Sequence, residues 1–224
     1  YDTEVPPAQR LLIVDSSITS EMSAAISILD QSPLKKNIGP LAGWETTGQA
    51  AIDMHLEIPL VSKAVRAKGN VPTGNYQLSA ELADGSMAIP NTSIAVKQLA
   101  GSVTFSLQDG LQSQNMTGLF WDEPLTAKLY KTDGEQKLAF KTEFKPQSLT
   151  SLVDFPWPEV LSGMIPVDGL ISLPAAADKK PVTMQVVSQM QGVKVDLPQP
   201  LGKAASDLRT MDMTLHFNPE FNRM

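Results

Sequence analysis

The chain has 224 residues, 42% of them hydrophobic and 19% charged, with no cysteine, 18 Lys plus Arg against 24 Asp plus Glu, and a formal net charge of −6. That length buries about 70% of its unfolded surface without covalent staples. The missing cysteine removes disulfides, thiolate zinc sites and thiol nucleophiles. Lys35-Lys36 and Lys179-Lys180 are the longest basic runs, too little clustered charge for a nucleic-acid partner or for adhesion to an anionic bilayer surface.

No stretch reaches the 18 apolar residues of a membrane-spanning helix, and the longest apolar run near the start is Leu11-Leu12-Ile13-Val14. The sequence opens at Tyr1 and closes at Asn222-Arg223-Met224, so it reads as an interior segment of a longer protein, with targeting signals and anchors expected elsewhere.

In chain order, the first element is an amphipathic helix over about 20–31, where Met22, Ala25, Ile26 and Leu29 share one face, Thr19 or Ser20 serves as N-cap and Pro33 follows the end. Period-two alternation then takes over, the mark of strands with one buried face. Ala50, Ile52, Met54, Leu56 and Ile58 alternate with Ala51, Asp53, His55 and Glu57 as far as Pro59. The pattern returns in Tyr76, Leu78, Ala80 and Leu82, and again in Val103, Phe105 and Leu107, before an Asp109-Gly110 turn.

Leu125, Ala127 and Leu129 form one arm of a hairpin that turns at Thr132-Asp133-Gly134 and returns through Leu138, Phe140 and Phe144. Pro146–Pro158 interrupts the rhythm, with a single helical turn expected over Glu159–Ser162. A strand through Leu173 follows, then Val182, Met184 and Val186, then Val193, Val195 and Leu197, and finally Met211, Met213, Leu215 and Phe217.

Ten to thirteen strands with Gly, Asp and Pro turns and no βαβ rhythm predict an all-β, mostly antiparallel fold. Either the sheet folds back as a sandwich or its apolar face is covered by something else, with the single helix near 20–31. Residues 1–150 read as a β-rich segment with one helix and 151–224 as its continuation, together one continuous domain.

Catalytic signatures are thin. His55 and His216 are the two histidines, both at polar positions of alternating strands. Asp53 and Asp212 lie on the same strand faces as these histidines, so a two-histidine metal site is geometrically conceivable. Solvated or cross-strand-paired imidazoles are the simpler reading. Nucleophile-elbow, phosphate-loop, dinucleotide and zinc-protease motifs are all missing. No catalytic residue, no metal and no cofactor is expected.

Methionine is over-used, with 10 residues, several on apolar strand faces. Flexible thioethers suit a surface that accepts apolar partners of variable shape, and equally an ordinary core. One helix cannot cover so many half-apolar strands. Either the sheet covers itself, or something else does.

Particular runs resemble a known family. Phe155–Gly163 (FPWPEVLSG), the strand through Leu173 and above all Met190–Lys203 (MQGVKVDLPQPLGK) are similar to the long AsmA-like proteins of the YhdP type. Ser32-Pro33-Leu34, Gly48–Leu60 (GQAAIDMHLEIPL) and Leu99–Leu111 (LAGSVTFSLQDGL) add to it in the family's order, so the resemblance covers about 10–217.

The resemblance implies a non-enzymatic, bridge-type carrier of phospholipid between the inner and outer membranes that supports envelope integrity, built as a long curved β-sheet forming an apolar groove, with 1–150 as a groove segment and 151–224 as its continuation. It implies a periplasmic location, an inner-membrane anchor outside this chain, and phospholipid acyl chains as partners. The expected lipid-groove residues are Ile52, Met54, Leu56, Val103, Phe105, Leu107, Met184, Met211, Met213 and Leu215. Open sheet edges would also let the segment associate with itself. The competing readings are a structural or protein-interaction β-sandwich and, less favoured, a carbohydrate-binding module using Trp44, Trp121 and Trp157.

Overall fold

A computed structural model describes residues 11–31, 44–60, 74–88, 94–151, 157–174 and 181–217. Twelve strands form among them. They are β1 (Leu11–Glu21), β2 (Glu45–Pro59), β3 (Asn75–Ala88), β4 (Ala95–Ser106), β5 (Gly110–Phe120), β6 (Glu123–Thr132), β7 (Glu135–Phe144), β8 (Leu161–Ser162), β9 (Ile165–Leu173), β10 (Val182–Ser188), β11 (Lys194–Val195) and β12 (Met211–Phe217). Ten of them build one open antiparallel sheet in the order β1-β2-β3-β4-β5-β6-β7-β9-β10-β12, and β8 and β11 pair separately. The helices are α1 (Met22–Gln31), a 3-10 turn (Pro146–Ser151) and the single-turn α2 (Trp157–Val160).

The all-β expectation holds, and of its two forms the curved open sheet is the one that forms. No second large sheet lies among the described residues, so the sandwich alternative falls. Neighbouring strands pair in chain order except where the small β8–β11 pair is inserted, which is the meander that alternating runs and tight turns encode.

Curvature has a local cause. Pairing register slips between Thr47 and Gln49 on β2, twice between Leu82 and Met87 on β3, twice between Lys97 and Thr104 on β4, and between Ser113 and Met116 on β5. These bulges occupy one band across four adjacent strands. Each bends and over-twists its strand, so together they crease the sheet.

Several local expectations are corrected. Thr19 and Ser20 are not helix caps, because β1 runs to Glu21 and helix begins at Met22. The apolar run Leu11–Val14, given no element from sequence, is strand, paired with Leu56–Pro59 of β2. Glu159–Ser162 divides between the end of α2 and β8, since Leu161 and Ser162 find backbone partners in β11. Of the alternating run Val193–Leu197, only Lys194 and Val195 are strand. The rest belongs to a 22-residue excursion, 189–210, between β10 and β12. Strand β5 escapes sequence reading altogether. Its bulge shifts the apolar phase from Leu111 and Ser113 to Met116, Gly118 and Phe120. Pro33 and the side chain of Leu29 lie outside the described residues.

Apolar residues gather in three clusters. Phe144, Ile165, Val167, Val186, Met190 and Val193 form the first. Met22, Ala50, Leu99, Met116 and Ala127 form the second, and Phe105, Leu111 and Leu129 the third.

An apolar trough as the candidate functional site

Strand register turns the alternation into a continuous surface. Ile18, Ile52, Ala80 and Val103 are consecutive neighbours across β1 to β4. Beside them runs the row Met54, Leu78, Phe105 and Leu111. Further along the sheet lie Leu129, Leu138, Ile171, Met184 and Leu215, and next to that row Ala127, Phe140, Gly169, Val186 and Met213. Serine interrupts the rows at two places, with Ser16 of β1 opposite Met54 and Ser113 of β5 opposite Leu129.

Three hydroxyls that fall on this face are tied back into the fold. Ser113 Oγ donates to the Ser102 carbonyl at 2.6 Å, and Thr142 Oγ1 to the Pro124 carbonyl at 3.0 Å. Ser188 Oγ accepts from the Met190 amide at 3.0 Å. The hydroxyls are thereby satisfied by backbone, and the surface they interrupt stays apolar toward anything lying on it.

The two ends of the strands differ. At the end where β1, β3, β5, β7 and β10 finish, the chain folds over the apolar face. Met22 of α1 is buried with Ala50 and Leu99, and a Cβ on Gly85 would lie 2.6 Å from its Sδ, so a side chain at 85 would push the thioether aside. Trp121, in the β5–β6 turn, stacks on Phe120 with centroids 4.3 Å apart and meets Phe144 edge-on at 5.4 Å. Met190 and Val193 of the 189–210 excursion close over Phe144, Ile165 and Val186.

That excursion is firmly built. Lys203 is buried, its Nζ donating to the carbonyls of Val193 at 2.7 Å and Ala204 at 3.0 Å. Arg209 donates to the carbonyls of Leu201 and Gly202. Among the described residues, no element lies over the apolar face at the opposite end, where Phe105, Leu111 and Leu129 pack only with strand neighbours.

The other face is polar. Asp15, His55, Gln77 and Ser106 form one row, and Ser17, Asp53, Ser79, Thr104 and Gln112 the next. His55 Nδ1 lies 2.6 Å from Asp15 Oδ1, and its Nε2 lies 3.5 Å from Glu57 Oε1. Hydrogen bonding to Asp15, then to Glu57, raises the imidazole above its ordinary pKa. Seven strands of the sheet separate β2, carrying His55, from β12, carrying His216. The two histidines are therefore not brought together. Among the described residues, no group of three or more acidic or histidine side chains is arranged to hold a metal.

Of the groove residues expected from sequence, Ile52, Met54, Leu56, Val103, Phe105, Met184, Met211, Met213 and Leu215 lie on the apolar face. Leu107 does not share a row with them, because β4 ends at Ser106 and Leu107 stands exposed in the following turn. Met211 lies at the covered end, packed on the first cluster. Sequence reading missed Leu111 and Met116 along with β5, and it gave no role to the Phe140–Gly169 pair. The cue for that pair was a large residue and a glycine in strands whose mutual register only the fold supplies.

The family model described as "YhdP protein" matches residues 5–224. The chain belongs to the YhdP family. A curated relative, "Intermembrane phospholipid transporter YhdP" of Escherichia coli (strain K12), is 27% identical over 206 residues, covering 89% of this chain and 15% of the relative. The chain thus corresponds to about a seventh of that relative's length. No solved structure matches. Membership in the YhdP family agrees with the resemblance carried by the runs around Gly48–Leu60, Leu99–Leu111 and Met190–Lys203. Among the described residues, no helix is long and apolar enough to cross a membrane.

Proposed function

We propose that the chain is a periplasmic segment of a phospholipid transporter working between the inner and outer membranes, and that its apolar sheet face carries acyl chains. One observation supports this most strongly: rows of apolar side chains run along one face of the ten-stranded sheet, and among the described residues no second sheet covers that face. Membership in a family that includes an intermembrane phospholipid transporter supports it independently.

The physics favours a trough over a pocket. Exposing one ~16-carbon chain to water costs roughly 0.8 kcal/mol per methylene, so on the order of 12 kcal/mol. An apolar floor removes most of that barrier, while head groups stay in solvent along the open side. Along the apolar rows themselves no charged side chain would hold a lipid in place, so lipids slide rather than dock. The role is non-enzymatic and needs no cofactor. Attachment to the inner membrane is assigned to parts of the protein outside this chain, and the exposed edges β1 and β12 are where it would associate with itself or be continued.

Native mass spectrometry of the protein purified without added lipid tests this reading. Bound phospholipid is expected in the wild type and in the outward variant Thr104→Asp, and is expected to be lost in Phe105→Asp. A folded wild type free of lipid would count against it.

A further inference from the structure

Phe140 occupies the centre of the apolar floor, packed against both the first and the second cluster. Its neighbours across the strands are the smallest residues of that row, Ala127 on β6 and Gly169 on β9. The ring lies directly on the Gly169 backbone. A Cβ at 169 would overlap it, with ring Cε2 2.5 Å away and Cζ closer still.

Ordinary carbon contacts lie at about 3.5–4.0 Å, so any side chain at 169 displaces the ring by at least about 1 Å. Neighbours crowd the ring on the sheet. Val186, the next residue in the row, is buried, and Leu138 and Thr142 flank Phe140 on its own strand face. With the Gly169 backbone beneath it and these neighbours beside it, a displaced ring would rise away from the sheet, over the apolar face.

We propose that Gly169 sets the clearance of the trough at its midpoint by letting Phe140 lie flat, which makes 169 and 140 passage-determining residues for acyl chains. This rests on the lipid-carrying reading above. A cross-strand aromatic laid over a glycine also restores the packing that glycine lacks, so stability and clearance come from the same pair. The row flanking the ring holds Met116 on one side and Val186 with Met213 on the other. A raised ring would split the floor between these two sets.

The test uses the complete protein in cells, with pulse-labelled phospholipid and photo-crosslinking probes at Ile52 and at Leu215, on either side of the pair. Wild type is expected to acquire label at both probes. Gly169→Val is expected to cut label at one probe at least fivefold, and Gly169→Val with Phe140→Ala to restore it. Equal labelling at both probes in a folded Gly169→Val protein would overturn the proposal.

Should Gly169→Val fail to accumulate, Phe140→Leu decides. With Gly169 retained it should label the far probe at least as fast as wild type, and slower labelling would overturn the proposal. Absence of label at both probes in the wild type would refute the lipid-carrying reading itself, an outcome distinct from failure of the gate.

Discussion

An open trough and a sealed core respond differently to the same truncation. Leu129 is 7% exposed and sits at the uncovered end of the floor, whereas Ile165 is 2% exposed beneath Met190 and Val193. Leu129→Ala and Ile165→Ala each remove three carbons, so the transfer term is the same, about 2.4 kcal/mol at roughly 0.8 kcal/mol per methylene. A closed site adds a cavity term of about 24 cal/mol per Å³ left unfilled, which carries total losses toward 5 kcal/mol. On the proposed open face, Leu129→Ala leaves a dent that opens away from the sheet and adds little. We therefore expect about 2–3 kcal/mol for Leu129→Ala and about 4–5 kcal/mol for Ile165→Ala, measured by urea unfolding followed by tryptophan fluorescence. Equal costs of 4 kcal/mol or more would refute the open trough, because they would require Leu129 to be sealed like Ile165.

Three further outcomes follow from particular contacts. Asp15 and Glu57 raise the His55 pKa, so the stabilisation from this histidine is complete below its unfolded value near 6.5 and disappears as pH rises through the elevated folded value. Unfolding titrations at acid and alkaline pH should therefore show His55→Gln destabilised relative to wild type at pH 5 and indistinguishable at pH 9, and the reverse order would contradict the assignment. Lys203→Met removes the donor to the Val193 and Ala204 carbonyls. Its expected cost is about 1–3 kcal/mol, with faster amide hydrogen exchange confined to residues 190–209. Ile13, 55% exposed on edge strand β1, is an association hazard. Sedimentation at increasing concentration should show Ile13→Lys remaining smaller than wild type, and identical behaviour would exclude β1 as the associating edge.

The sequence made some of this legible because alternation survives wherever strands are unbulged. Ala50–Ile58 and Leu125–Phe144 read as strands, since their side chains keep one parity and Asp133-Gly134 fits a tight turn. β5 was hidden because one extra residue between Ser113 and Met116 reverses the phase halfway, and period-two reading counts the second half on the wrong face. Thr19 and Ser20 looked like caps because hydroxyls before an apolar helical period are what caps look like. Pairing with β2 over the whole of β1 outweighs that local preference.

Nine of the ten candidate groove residues fell on one face because parity alone decides a side chain's face in a regular strand. Leu107 continued the parity one step beyond the last paired residue, Ser106, into a turn that alternation cannot foresee. The covered end of the floor was illegible for a different reason. Met190, Val193 and Lys203 belong to an excursion whose shape depends on carbonyls satisfied by Lys203 and Arg209, which no periodicity encodes.

The most direct test of the lipid-carrying trough is photo-crosslinking in cells, with probes at Met54, Phe105 and Met213 on the apolar face and at Asp53, Thr104 and Asp212 on the polar face. The account predicts phospholipid adducts at the first three positions and none at the second three. A folded, abundant protein that acquires no lipid at Met54, Phe105 or Met213 would contradict it.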